Sequence, residues 1–136
     1  MGDPGPPTAA DVVRELVHRF HAGDQQSARR LYAPGFQIQQ PSSFPHGGWH
    51  EGLEGMGEMA ATFAEHWDRE IDDPRILDAG DTAVQITTQT WTSKVTGRAA
   101  TVDVVELFTV VDGCITEIRV FQQDTHLLLE TLEPAR

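Results

Sequence analysis

Cysteine, tyrosine and basic residues are what this chain of 136 residues has least of: one Cys, one Tyr and ten Lys plus Arg. A lone Cys114 excludes an internal disulfide, and its apolar surroundings make it a small core residue rather than a nucleophile. Ten basic against 21 acidic residues leave a net charge of −11. Nucleic acid needs a basic footprint, and an anionic membrane surface needs polybasic segments, so both partners are excluded. No apolar run approaches the roughly 20 residues of a membrane-spanning helix. The opening MGDPGPPTAAD has neither the basic nor the apolar region of a signal peptide. A soluble, cytoplasmic protein is the expectation. Internal repeats and low-complexity blocks are also missing. The acidic excess is local: Glu51 to Asp81 holds ten acids against Arg69 and Arg75. It reads as a solvated helix face, with an acidic docking surface as the alternative.

The length suits one hydrophobic core. The Gly/Pro-rich residues 1–7 predict a mobile tail, and residues 8–134 a single domain. Thr8-Ala-Ala-Asp11 has the capping-box pattern and opens a first helix, whose apolar face carries Val12, Val13, Leu16, Val17 and Phe20. Gly23 closes it. A short second helix carries Ala28, Leu31 and Tyr32 and stops at Pro34-Gly35, and Phe36 to Gln40 is a brief strand. The segment PSSFPHGGWHEG is too rich in Pro, Gly and Ser for regular structure. A third helix from about Leu53 to Trp67 sets Met56, Met59, Phe63 and Trp67 on one face. Strands follow at about 75–78, 82–93, 99–110 and 114–122. The last two meet at Asp112-Gly113, a dipeptide suited to the positive φ angles of a tight hairpin.

Three segments carry a resemblance: His21-Ala-Gly-Asp24, the loop from Phe44 to Gly52, and the closing hairpin with its Asp124 and Leu-rich tail. In order and spacing they resemble the nuclear-transport-factor-2-like (NTF2-like) superfamily, and within it the SnoaL-like proteins related to ketosteroid isomerases and polyketide cyclases. In the loop, His46 stands at a position that is usually aromatic in that group. The resemblance covers Asp11 to Leu132. It implies an α+β cone: a curved, mostly antiparallel sheet wrapped around N-terminal helices, enclosing a pocket and often dimeric through the outer sheet face. The isomerase machinery does not carry over. Gln40 stands where the base Asp would be, and an amide has no basic lone pair. The oxyanion-hole positions hold Leu16 and Val105.

The strand period of two sorts the remaining candidates. If Ile118 and Val120 face inward, so does Gln122 and, just past the strand, Asp124. The neighbouring strands then turn Asp103, Val105, Leu107 and Thr109, and Val84, Ile86, Thr88 and Thr90, to the same side. This predicts an apolar pocket lined by Leu16, Met59, Phe63 and Val105, with Thr88 and Thr90 polar at one side. Gln40, His46, Asp103, Gln122 and Asp124 gather at its mouth. A carboxylate entering an apolar cavity gains proton affinity, which suits acid/base work. Asp103 and Asp124 are therefore the candidate acids or bases and His46 a proton relay, with Gln40 and Gln122 orienting the substrate. Asp103 can equally be an exposed strand-end residue, and Asp124 a cap on the terminal helix. The spacing of His46, His50 and Glu54 imitates metal ligation, but Gly47-Gly48 argues against a helix there, so no metal is expected. Glu106 and Trp91 fall on the opposite face, where Trp91, Phe108 and Phe121 would suit a homodimer interface.

The expectation is a cofactor-independent acid/base enzyme, a cyclase, isomerase or dehydratase, acting on a small hydrophobic polyketide- or terpenoid-like molecule. A non-catalytic small-molecule-binding or scaffold module on the same fold is the competing reading.

Overall fold

A computed structural model describes residues 5–134; the first four residues of the expected tail lie outside the described residues. Helix α1 (Ala9–His21) begins at the capping box: the Asp11 amide donates to Thr8 Oγ1 and the Thr8 amide to Asp11 Oδ2, each at 3.1 Å. Its buried stripe is Ala9, Val12, Val13 and Leu16. Gly23, at φ +76°, turns the chain, and Asp24 caps the short helix α2 (Gln25–Arg29). The chain continues through β1 (Tyr32–Gln40), β2 (Gly48–Glu51), α3 (Gly52–His66), β3 (Trp67–Ile71), β4 (Arg75–Ala79), β5 (Thr82–Ser93), β6 (Ala99–Val111), β7 (Cys114–Gln122) and α4 (Thr125–Glu130).

The strands form one sheet in the order β2-β1-β7-β6-β5-β3, with β4 also paired to β5. Only β1 and β7 run parallel; the other pairings are antiparallel. The curled sheet wraps around α1, the cone expected from the sequence. Three differences from the sequence reading have one cause. The second helix stops before Leu31, because the Leu31 carbonyl accepts from the Ile115 amide at 2.8 Å and Tyr32 pairs with Ile115. β2 forms inside the Gly-rich loop by pairing with β1, and β3 leaves α3 directly to pair with β5. Strand partners, rather than local propensity, decide each case.

Asp112 and Gly113 both have positive φ, 51° and 77°, the signature of a type I′ turn between β6 and β7. Beyond the turn, pairing starts as Val111↔Cys114 and Val110↔Ile115, then shifts by one residue to Thr109↔Glu117 and Phe108↔Ile118. The extra residue, Thr116, makes a β-bulge, and everything below it follows the shifted register. Val104 pairs with Gln122 and Glu106 with Val120.

This register reverses the expected faces of two strands. On β6 the inward residues are Ala100, Val102, Val104, Glu106, Phe108 and Val110; on β5 they are Ala83, Gln85, Thr87, Gln89, Trp91 and Ser93. Trp91 and Phe108 are core residues, 1% and 3% exposed, so of the three aromatics expected outside only Phe121 is there. The core also takes Trp67, Phe36, Phe44, Ile115, Ile118 and Leu128. Among the described residues, no helix is long and apolar enough to cross a membrane.

Candidate functional site

Inside the cone lies a cavity of about 160 Å³, lined by Gln40 (β1), His46 (the β1–β2 loop), Met59, Ala60 and Phe63 (α3), Arg69 (β3), Gln89 and Trp91 (β5), Val104 and Glu106 (β6), and Val120 and Gln122 (β7). Of the residues expected from the sequence, Gln40, His46, Met59, Phe63 and Gln122 meet there.

The others do not. Asp103 is exposed on the outer face, where its Oδ1 accepts from Thr88 Oγ1 at 2.8 Å. Thr90 is bonded to Thr101 on that same face, and Val105 lies between Ile86 and Phe121. The cause is the bulge, which turns these odd-numbered β6 residues and even-numbered β5 residues away from the cone. Asp124 is the N-cap of α4, accepting from the Leu127 amide at 2.9 Å. Leu16 is buried against the sheet but does not reach the cavity.

His46 is held by two successive turns: the Phe44 amide donates to the Pro41 carbonyl (3.2 Å) and the Gly47 amide to the Phe44 carbonyl (2.9 Å). A Cβ on Gly47 would come within 2.8 Å of Ser42 Cα, 2.9 Å of the Phe44 carbonyl oxygen and closer still to that of Pro41, so only glycine fits. The His46 ring stacks on Phe44 (centroids 5.0 Å apart, 6° between planes) and meets Phe63 edge-on at 5.2 Å. Trp67 and Trp91 complete this aromatic cage. The ring is 3% exposed and its Nδ1 has no partner. Burial above all, then the neighbouring His50, Arg69 and His66, lowers its pKa from 6.5 to about 4. His46 is therefore a neutral imidazole at pH 7.

Glu106 is the residue the sequence reading turned outward. Its carboxyl faces the cavity and, among the described residues, forms no hydrogen bond and has no cation within 4.0 Å. Burial raises its pKa, and the positive charge of Arg69 partly opposes the rise. Gln40 donates from Nε2 to the Met59 sulfur at 3.6 Å, and Gln122 donates weakly to Gln40 Oε1 at 3.5 Å. Gln122 Oε1 is buried and unpartnered. Gln89 is tied down, accepting from the Trp91 indole and donating to Thr87 Oγ1, each at 2.9 Å. The cavity thus joins an aromatic wall to one carboxyl, a neutral imidazole, a guanidinium and three amides, of which Gln89 is tied down. Among the described residues, no group of three or more His, Cys, Asp or Glu side chains is placed to hold a metal ion.

One signal for Glu106 was available. The even positions of β6 read Val102, Val104, Glu106, Phe108 and Val110, bulky and apolar but for one acid, whereas the odd positions mix in Thr101, Asp103 and Thr109. Judged strand by strand, the even face is the core face, and its single acid stands out.

A curled sheet closed by helices around a small polar-ended cavity defines the NTF2-like class. The sequence profile of the SnoaL-like domain matches residues 13–118, and the chain belongs to that family. No curated protein matches it in sequence. Among solved structures it is similar to an NTF2-like protein from Burkholderia xenovorans LB400, at 21% identity and a TM-score of 0.80, over 95% of this chain and 100% of that one. A second, an NTF2-like protein from Burkholderia thailandensis E264, has 22% identity and a TM-score of 0.81 over 93% and 98% of the two chains. A third, TerC co-crystallised with polyporic acid, has 24% identity and a TM-score of 0.76 over 90% and 95%. At these identities the likeness is one of fold.

Proposed function

We propose that this protein is a cofactor-independent acid/base catalyst, of isomerase, cyclase or dehydratase type, acting on a small oxygenated ring compound, with Glu106 as the proton carrier. The observation that supports it is the Glu106 carboxyl, without a hydrogen-bond partner among the described residues, in a cavity walled by Met59, Phe63, Trp91, Val104 and Val120. A carboxyl with raised proton affinity is a stronger base than one in water and exchanges protons nearer neutrality. In the reaction proposed, the Glu106 carboxylate takes a proton from carbon next to a carbonyl, the electron pair moves onto the carbonyl oxygen, and the new carboxylic acid returns the proton at another carbon. His46, neutral and held rigidly, offers a hydrogen bond rather than a charge. Gln40 and Gln122 orient the polar end of the substrate.

The cavity, about 160 Å³, is close to the roughly 150 Å³ that encloses one benzene ring. The reacting part is then a single substituted ring. A longer polyketide- or terpenoid-like molecule would extend past Met59, Ala60 and Arg69, which also border a surface groove running to Phe20 and Leu53. The co-crystal of a structural neighbour with polyporic acid fits a fold that accepts oxygenated rings. Pairing of two copies through the outer sheet face belongs to the same proposal. It rests on the apolar row Ile86–Val105–Phe121, and sedimentation showing only monomer would rule it out.

The test needs no prior substrate: exchange of α-protons of small cyclic ketones in D₂O, followed by NMR. Wild type should accelerate exchange for at least one ketone, and Glu106→Gln should lose about 10²-fold or more of that rate. Asp103→Asn and Asp124→Asn, which leave the cavity intact, should stay within about twofold, well inside that catalytic range. Ketones that bind without exchange would favour a non-catalytic binding module, the reading that Gln40 in place of a base Asp supports.

A further inference from the structure

Among the described residues Arg69 is the one cation that lines the cavity, and its position is set by the sheet. It pairs with Trp91 across β3 and β5, and because Trp91 points into the cone Arg69 does too. Its guanidinium carbon sits 5.0 Å from the centre of the Phe63 ring. Besides the cavity it borders two surface grooves, one reaching Phe20 and Pro74, the other Leu53 and Met56. It therefore stands where the cavity opens.

The chain carries 21 acids, yet among the described residues no carboxylate lies within 4.0 Å of this guanidinium and no acceptor takes a hydrogen bond from it. Glu106 is near enough for each charge to alter the other's proton affinity, but the two do not pair. Arg69 is an exposed residue whose N–H groups face solvent at the mouth, and the planar fork of a guanidinium matches a carboxylate in a way that an amide oxygen cannot. At the enclosed end, His46 and Gln122 border neither groove, and each keeps a buried polar atom without a partner, Nδ1 and Oε1. Gln122 Oε1 is an acceptor and can be satisfied only by a donor.

We infer that the ligand of this cavity is a single-ring hydroxycarboxylate, with its carboxylate on Arg69 at the opening and its hydroxyl donating to Gln122 Oε1 at the enclosed end. The inference rests on the proposal that the cavity is a ligand site and adds the class of molecule it selects. The Phe63 ring would then be shared between the guanidinium above it and the ligand ring beside it. Glu106, which lines the same cavity, is left free to reach a ring carbon.

The experiment is calorimetric titration of wild type, Arg69→Gln and Arg69→Lys with para-hydroxybenzoate, para-hydroxybenzamide and benzoate. The hydroxybenzoate should bind wild type at least about tenfold more tightly than the isosteric amide, the difference expected of a charge-assisted, two-pronged contact. Arg69→Gln should erase that preference while leaving amide affinity within about twofold, and Arg69→Lys, with charge but no fork, should restore only part of it. Benzoate, lacking the hydroxyl, should bind more weakly than hydroxybenzoate in all three proteins. Equal affinity of acid and amide for wild type, or a preference that survives in Arg69→Gln, overturns the inference. If neither acid binds while ketone exchange through Glu106 persists, the anion assignment falls and the proposed function stands. If no ring compound binds and no exchange occurs, both fall.

Discussion

The aromatic cage of His46 makes a quantitative demand on stability. An unfolded chain binds a proton on this imidazole with the ordinary pKa of 6.5, whereas the folded chain does so only near 4. Below the ordinary value the unfolded state therefore holds more protons, and stability must fall as pH falls; above it the loss vanishes. At about 1.36 kcal/mol per pH unit, the full loss below pH 4 is roughly 3 kcal/mol, of which about 0.8 kcal/mol has developed by pH 6 and about 2 kcal/mol by pH 5. His46→Phe removes the titrating group and keeps a flat ring for Phe44 to stack on. Urea unfolding of both proteins between pH 5 and 7.5 gives the difference directly, because carboxylates titrate in both and drop out. The stability of wild type relative to the Phe variant should decline along that curve. A flat difference would refute the reasoning. It would mean that the faces of Phe44, Phe63, Trp67 and Trp91 stabilise the imidazolium by cation–π attraction as much as burial penalises it.

Two further outcomes follow from the same cavity. Burial raises the pKa of Glu106, so here the sign is opposite: the folded state holds its proton more tightly, and stability is lost as pH rises above the ordinary carboxyl range. Glu106→Gln should thus be more stable than wild type at pH 7, with the gap closing toward pH 4; equal denaturation midpoints at pH 7 would count against an unpaired, partly buried carboxyl. Gly47→Ala forces a Cβ into the backbone of the loop that carries His46 and should cost about 1–3 kcal/mol in urea unfolding; a cost under about 0.5 kcal/mol, that of an ordinary surface change, would mean the loop can open without strain.

The sequence and the structure agree wherever a local rule decides. Thr8 and Asp11 cap one another, Asp112-Gly113 makes the turn, and the apolar spacing of α1 and α3 marks their inner faces. Gln40, His46 and Gln122 also reach the cavity, because each is placed by its own strand or loop. What could not be read was the pairing of β6 with β7. A two-residue turn with no irregularity would pair Val105 with Val120 and Asp103 with Gln122, which turns Asp103 inward. The single extra residue at Thr116 replaces this by Glu106 with Val120 and Val104 with Gln122. Nothing in the local composition of Ile115-Thr116-Glu117 demands a bulge. Its traces are indirect: Ile115 and Ile118, three apart, are both core residues, and the even positions of β6 carry the more apolar run. One residue of slip exchanged a whole face, and with it the carboxyl assigned to the chemistry.

Helix α3 supplies the wall of Met59, Ala60 and Phe63, yet none of its residues is fully buried and no side chain caps its first turn. The sheet and α1 supply most of the fully buried core, and α3 packs Met56, Met59 and Phe63 against it as partly buried residues. Substitutions at its more exposed positions can therefore reshape the cavity wall at a smaller cost in unfolding free energy than changes in the fully buried core. Phe63 is the exception, because it packs on His46, Trp67 and Trp91. In evolutionary terms, the cavity wall on α3 is freer to vary than the strands that face it. A lineage with this cone can reshape its cavity through a few α3 residues, with the carboxyl, the imidazole and the guanidinium left in place on strands and a loop that the core does constrain.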